Sequence, residues 1–164
     1  MEGTYLESIY NLIKSIKEAK TLDALIEIIT QELPAAVGAR YCSLFIKNHS
    51  SGELELRAHN HQDIGEDPFI HVADHDKSIM NLTISRNTSL LIRNIEEEIG
   101  FHNKEKYSTK SFMCLLIKDD NEIEGVLNLA DKAPEGFSRE DMLFSTIIAE
   151  LIGSHLKRYG IASV

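Results

Sequence analysis

Apolar residues near the start of the chain recur at helical spacing. Intervals of three, four and three positions separate its apolar residues Leu6, Ile9, Ile13 and Ile16. These intervals place the four side chains on one face of an α-helix. They also fit two heptads of a coiled coil, a length too short to decide whether this helix pairs with a second chain or packs on its own domain.

Two further helices are predicted, one directly after the first and one near the C-terminus. Thr21 is a residue type that caps helix N-termini, and Pro34 and Gly38 are expected to end the helix that follows it. The apolar stripe of this second helix is Leu22, Leu25, Ile26, Ile29 and Leu33. Ser138 and Asp141 have the spacing of a capping box, with Asp in place of the usual Glu or Gln. The last helix follows them with the stripe Phe144, Ile147, Ile148, Leu151, Ile152 and Leu156.

Between these helices the hydrophobic period changes from helical to alternating. Residues 41–47 and 53–58 alternate on either side of a turn rich in Asn, Ser and Gly, which predicts a β-hairpin with one exposed face. Residues 111–118 are apolar almost throughout, as in a strand that is covered on both faces. Residues 123–130 follow after an Asp-Asp-Asn turn and form the expected antiparallel partner.

The remaining segments have weaker patterns. Residues 78–86 are predicted to form a short helix with Ile79 inward, and residues 89–93 a short strand. The stretches 60–77 and 96–106 have no clear period, apart from a short strand expected at 69–73. Long loops inside a compact domain usually serve binding. The order of elements therefore predicts a mixed α/β (α+β) domain around a mostly antiparallel sheet.

Composition limits the classes of function. The chain has 164 residues, of which 43% are hydrophobic and 26% charged, and its formal net charge is −9. One core of this size needs neither disulfides nor metal. The acidic balance counts against nucleic acid and anionic membranes as partners, although a local pocket for a small anion stays open. With neither a signal-peptide pattern nor an apolar membrane span, we expect a cytoplasmic protein.

Four histidines lie close together in the first long loop region. They are His59, His61, His71 and His75, and Asp63, Asp67 and Asp74 stand among them. Histidine with carboxylate can bind a borderline metal ion. Because the spacing matches no strict metal motif, we favour solvated loop histidines over a metal site.

Neither cysteine is in a context that suggests catalysis. Cys42 and Cys114 both lie within apolar strand patterns, where cysteine usually acts as a small hydrophobe and not as a reactive thiol. The sequence contains no nucleophile elbow, phosphate-binding glycine loop, zinc-hydrolase helix or Cys-x2-Cys pair. No residue pattern therefore calls for an enzyme.

Four stretches in the same order resemble the GAF family of small-molecule sensor domains. They are VGARYCSLFI at 37–46, SIMNLTISRNTSLLIRNI at 78–95, YSTKSFMCLLIK at 107–118 and GVLNLADK at 125–132. The resemblance covers residues 20 to 157. It implies a GAF/profilin-like fold with a central sheet of five to six strands, helices on both faces and terminal helices packed together.

The resemblance also implies roles for particular residues. Lys132, Phe137 and Asp141 match the family's Asn-Lys-Phe-Asp-Glu pattern, in which the Lys and Asp form a salt bridge that locks a loop; here Asp131 and Met142 replace the Asn and the Glu. The implied ligand-pocket residues are Ser43, Phe45, His59, Ile79, Met80, Thr109 and Ser111. Cyclic-nucleotide-binding members have an aromatic residue near the end of the second strand, where this chain has Ala58 and His59. The expected ligand is therefore a small molecule other than a cyclic nucleotide, and no cofactor is implied.

The resemblance thus predicts an N-terminal dimerisation or signalling helix at 1–20 and a single GAF domain at 21–164. The expected function is a non-enzymatic sensor that binds a small molecule and signals through its terminal helices, as a homodimer or to a signalling-protein partner. The expected interface is Leu6, Ile9, Ile13 and Ile16 with Phe144, Ile148 and Leu151. One alternative is a structural dimerisation domain whose pocket is empty or is filled by Met80, Phe112 and Met113. Another is an enzyme like the free methionine sulfoxide reductases, which use loop cysteines that this chain lacks.

Overall fold

The computed structural model describes residues 2–61, 74–100 and 108–156. Helices and strands within these ranges follow the predicted order with one addition, the short helix α4 at the start of the second predicted loop. The elements are α1 (Glu2–Glu18), α2 (Leu22–Val37), β1 (Tyr41–Lys47), β2 (Leu54–His59), α3 (Asp74–Arg86), β3 (Leu90–Ile92), α4 (Ile95–Glu98), β4 (Phe112–Asp119), β5 (Glu122–Ala130) and α5 (Arg139–Leu156). The strand expected at 69–73 lies outside the described residues.

The five strands form one sheet in the order β2-β1-β5-β4-β3. Every neighbouring pair is antiparallel, which confirms the predicted mixed fold with an antiparallel sheet. The turn between β4 and β5 has positive φ angles of 50° at Asp120 and 68° at Asn121, residue types that tolerate this conformation in tight hairpins. β5 is the central strand and lies between β1 and β4.

Each face of the sheet has its own hydrophobic core. One face, here called the α5 face, packs against α1, α2 and α5 and buries Cys42, Leu44, Ile46, Met113, Leu115, Ile117, Leu127 and Leu129. The other, the α3 face, packs against α3 and α4 and buries Phe45, Leu56, Phe112, Cys114, Leu116, Val126 and Ala130. β1 alternates as predicted, with Cys42 in one core and Phe45 in the other. The exposed face expected for this hairpin is wrong for β1, because residues 42–46 are all buried between the two layers of helices. Among the described residues, no helix combines the length and apolar character that a membrane span requires.

Capping residues begin and end the helices largely as expected. Thr21 accepts a hydrogen bond from the Ala24 amide at 3.1 Å, and Gly38, at φ 79°, donates from its amide to the Pro34 carbonyl. The expectation that Pro34 ends α2 is wrong, because Pro34 and Val37 are both buried against the core and the helix continues through them.

The predicted stripes of α1 and α5 need correction. Leu6 is 65% exposed and Ile147 49% exposed, whereas Leu12, absent from the predicted stripe, is 3% exposed. The proposed interface also changes, because three of its members are buried in the chain's own core: Ile16, Phe144 and Ile148. In this fold those three side chains cannot contact a second chain.

Candidate functional site

A row of cross-strand neighbours crosses all five strands on the α3 face. Ser43 pairs with His59 on one side and with Asn128 on the other. Asn128 in turn pairs with Cys114, which pairs with Leu90. These five residues are called the central row. Paired residues on neighbouring strands direct their side chains to the same face, so three polar groups lie side by side.

The central row is polar in apolar surroundings. The neighbouring rows on this face are Leu56, Phe45, Val126 and Leu116 on one side and Tyr41, Ala130, Phe112 and Ile92 on the other. Above them, α3 contributes Ile79 and Met80, which are 0% and 6% exposed. The site therefore has a polar centre and apolar walls, the usual composition of a small-molecule pocket.

Asn128 is the unusual residue of this row. Its side chain is 5% exposed, yet its Oδ1 atom has no hydrogen-bond partner within the described parts of the chain. Leaving a buried polar atom unpaired costs about 1–3 kcal/mol. This oxygen, at the centre of the sheet, is thus an acceptor available for a hydrogen bond from another molecule, and the sequence pattern did not identify it.

Two of the four histidines considered as metal-ligand candidates lie together at the β2 end of the row. The rings of His59 and His61 are 6.0 Å apart, and His61, which is 8% exposed, stacks on Tyr41 at 4.7 Å. His71 and the side chain of His75 lie outside the described residues. Within the described part, no three His, Cys, Asp or Glu residues could hold a metal ion together.

Thr109 and Ser111, both predicted to line the pocket, lie on the segment that leads into β4. The Ser111 hydroxyl donates to the Ile92 carbonyl at 3.2 Å and accepts from the Phe137 amide at 2.9 Å. It therefore connects three segments of the chain and is occupied by internal hydrogen bonds. The amide of Thr109 donates to the Asp131 carboxylate at 2.9 Å.

Asp131 holds the loops at the end of β5. It is 2% exposed and has a φ of 67°. Its carboxylate accepts from Thr109 and from the Ser108 hydroxyl at 3.3 Å, and its carbonyl accepts from the Arg40 amide at 2.9 Å. In the sequence Asp131 is only a departure from the family's Asn; its position directly after a strand was the available signal for a turn role.

Lys132 and Asp141, the two ends of the predicted lock, are in contact. Lys132 Nζ lies 2.6 Å from Asp141 Oδ2, and Phe137 is buried beside them in the α5-face core. The Asp141 carboxylate also accepts from the Ser138 amide at 2.8 Å and from the Tyr5 hydroxyl at 3.2 Å. Burial, together with the Asp141 charge, raises the pKa of Tyr5 above its ordinary value. One buried carboxylate therefore connects α1, α5 and the loop after β5.

The two free cysteines lie on opposite faces of the sheet. Cys42 belongs to the α5-face core and Cys114 to the α3-face core, and both are 0% exposed. Burial raises the pKa of the Cys42 thiol, which disfavours the thiolate that nucleophilic or redox chemistry needs.

Comparison with known proteins identifies the fold. A family model of the GAF domain matches residues 21–156. The GAF domain of a phosphoenolpyruvate-protein phosphotransferase from Acinetobacter superposes with a TM-score of 0.78 at 15% identity, over 97% of this chain and 96% of that one. The corresponding domain from Coxiella burnetii gives 0.78 at 17% identity, over 97% and 98%.

An enzyme has the same fold. The free methionine-R-sulfoxide reductase of Neisseria meningitidis, in complex with its substrate, superposes with a TM-score of 0.74 at 14% identity, over 95% of this chain and 90% of that one. Such low identities show a shared fold and leave the chemistry to each chain's own residues. No curated protein matches this chain.

Proposed function

This chain belongs to the GAF domain family, and on that premise we propose that it is a non-enzymatic regulatory module that binds a small molecule against the α3 face of its sheet. The observation that carries the proposal is the central row. Its Asn128 amide is buried and has an oxygen without a partner among the described residues. A ligand that hydrogen-bonds this group would recover the free energy that the unliganded fold loses there.

The second part of the proposal is that ligand binding changes the terminal helices. Asp131, at the end of β5, holds the segment that contains Thr109. The next residue, Lys132, contacts Asp141 at the start of α5, and Asp141 accepts from Tyr5 of α1. A displacement of the segment before β4 would therefore reach both helices through two buried carboxylates.

The third part is that the chain acts as a homodimer. α1 exposes Leu6 and Tyr10, each 65% accessible, and α5 exposes Leu143 and Ile147, at 53% and 49%. Each pair has i, i+4 spacing and so forms one strip on its helix. Tyr5 packs edge-to-face on Phe144, so the two strips begin beside the point where the helices touch. Apolar surface of this kind favours a protein partner.

Thermal unfolding with a panel of metabolites tests the ligand-binding proposal. Nucleosides, nucleotides, amino acids and organic acids would each be added to the purified chain. We expect at least one class to raise the melting temperature with increasing concentration, because a ligand of the native state stabilises it by mass action.

Two variants decide whether such a response comes from the α3 face. Ser43→Ala removes a hydroxyl of the central row without adding bulk to this buried position and is expected to weaken the response. Ser154→Ala, at an exposed position of α5, serves as the control and should respond as the wild type does. A panel without any response would instead favour the structural dimerisation alternative, with Met80 and Phe112 filling the pocket. Met113 cannot contribute to that filling, because it is buried on the α5 face.

A reductase function is the second candidate, supported by the similarity to the Neisseria enzyme. Among the described residues, the thiols of Cys42 and Cys114 are buried on opposite faces of the sheet, so they cannot form a disulfide with one another. We expect no reductase activity towards free methionine sulfoxide. Activity that disappears in Cys42→Ser or Cys114→Ser would overturn the non-enzymatic assignment.

A further inference from the structure

We propose that the ligand of the α3 face is an uncharged molecule that presents a hydrogen-bond donor beside an acceptor, such as a carboxamide or lactam edge on a flat ring. This inference rests on the proposed ligand-binding function and narrows it to a chemical class. Nothing in the family match or in the similar structures specifies this class for the present chain.

The first argument is the chemistry of the Asn128 side chain. An amide offers one acceptor oxygen and two donor hydrogens, and the Oδ1 atom has no partner among the described residues. A group with a donor and an acceptor side by side can satisfy both ends of this amide at once. The Ser43 hydroxyl, on the register partner of Asn128, provides a further polar group next to it.

Second, the sheet surface around Asn128 has no permanently charged side chain. The central row and the two neighbouring rows, read from the described strand pairs, contain no Lys, Arg, Asp or Glu. Arg40 and Asp131 stand just beyond them, but they are 4.0 Å from each other. A buried anion or cation without an opposite charge is strongly disfavoured, so this surface selects against charged ligands.

Third, the surroundings of Asn128 are apolar and partly aromatic. Phe45 and Phe112 lie in the rows on either side of Asn128, and both are buried in the α3-face core with Ile79 and Met80. Aromatic and aliphatic walls around one polar group suit a flat ring that carries its polar atoms on one edge.

Matched pairs of small probes test this inference. Nicotinamide is compared with nicotinate, and uracil with orotate, because each pair keeps the ring and changes the charge. We expect the uncharged member to raise the melting temperature of the full chain with increasing concentration, and its anionic counterpart to leave it unchanged.

Variants at Asn128 identify the group responsible. Asn128→Leu should lose the response to the uncharged probes, and without probe it should melt at a higher temperature than the wild type, because it removes an unpaired polar atom from apolar surroundings. Asn128→Asp, which keeps the size of the side chain, should also lose the response and serves where the leucine variant does not fold. The control is Ser145→Ala. Ser145, in α5, is also fully buried with an oxygen that lacks a partner in the described region, and this variant should keep the full response.

Three results would overturn the inference: a response to the anionic probes as large as that to the uncharged ones, a response retained in Asn128→Leu, or no response to any of the four probes. A response to anions that depends on Asn128 would reject the uncharged class and leave the sensor proposal standing. An empty result across the wider metabolite panel would reject both.

Discussion

At the scale of single residues, the most consequential charge is the Asp141 carboxylate. It is 2% exposed and contacts Lys132, Ser138 and Tyr5. Asp141→Ala removes one side of a buried pair and leaves Lys132 without its partner, so we expect a loss of roughly 3 kcal/mol in the free energy of unfolding. Urea denaturation of wild type and variant measures this difference in the free energy of unfolding.

Arg40 provides the comparison for this prediction. Its guanidinium is 4.0 Å from Asp131 and its side chain is 62% exposed, and exposed pairs contribute about 1 kcal/mol or less. Arg40→Met should therefore have a small effect. Equal losses in the two variants would contradict the view that burial makes the Asp141 contacts important.

The Tyr5 hydroxyl predicts a pH dependence in the alkaline range. Burial and the Asp141 charge raise the pKa of Tyr5 above its ordinary value of 10.0. Above that pH the unfolded chain loses this proton while the native state retains it, so unfolding becomes easier as pH rises. Tyr5→Phe removes this contribution, and its stability should fall less steeply than that of the wild type on raising the pH above 10.0. Urea titrations at several alkaline pH values give the free energy of unfolding of both proteins. If it fell equally steeply with pH in wild type and Tyr5→Phe, the assignment would be contradicted.

Asn128 shows why part of the site escaped prediction at this scale. A lone Asn in a strand normally indicates a solvent-facing position. Only the pairing of β5 with β1 and β4 shows that Asn128 lies between Ser43 and Cys114, and those partners are far away in the sequence. Lys132 and Asp141, in contrast, lie within one short segment, and the family pattern predicted the contact that the structure has between them.

At the scale of elements, α5 packs against β4 so closely that there is no space for a side chain at Gly153. A Cβ atom added there would overlap the Lys118 carbonyl oxygen. Replacing glycine by alanine inside a helix usually stabilises it by about 1 kcal/mol, but here α5 must move away from the sheet. We expect Gly153→Ala to lower the free energy of unfolding by roughly 3 kcal/mol.

The neighbouring residue gives the control for that change. Ser154 lies on the exposed side of α5, so Ser154→Ala should alter stability by no more than about 0.5 kcal/mol. Thermal and urea unfolding of both variants distinguish the two cases. A neutral or stabilising Gly153→Ala would mean that α5 is free to move relative to β4.

The strands were easier to predict than the faces of the helices. The alternation in β1 and the apolar run of β4 each indicate a strand, whereas α1 has apolar residues on more than one side and its pattern does not decide which side is buried. The predicted stripe places Leu6 in the core, but packing against α2 and α5 buries Leu12 and Ile16 and leaves Leu6 and Tyr10 exposed. The buried face of α1 therefore depends on contacts with α2 and α5, which the local sequence does not contain.

At the scale of the whole molecule, the exposed strips on α1 and α5 predict self-association. Light scattering coupled to size exclusion should give twice the 18.5 kDa of one chain. Leu6→Glu combined with Ile147→Glu places charges on both strips and should produce monomers with little change in fold, because both positions are exposed.

A matched substitution separates an interface effect from a change in charge. Asn11→Glu adds a negative charge to α1 at an exposed position away from the strip and should leave the dimer intact. A wild-type chain that is monomeric at all concentrations would reject the homodimer, and the strips would then require a different protein partner.

The order of strands in the sheet has a consequence for how the chain folds. β1 pairs with its neighbour in sequence on one side and, on the other, with β5, about 80 residues further along. Local pairs form with little loss of chain entropy, whereas distant ones must first close a long loop. During synthesis, the β1 edge of the β1–β2 hairpin therefore has no partner strand until β5 has left the ribosome. We expect pulsed hydrogen exchange during refolding to protect the hairpin amides before those of the β1–β5 seam, so that the seam which holds Asn128 is among the last parts of the sheet to form.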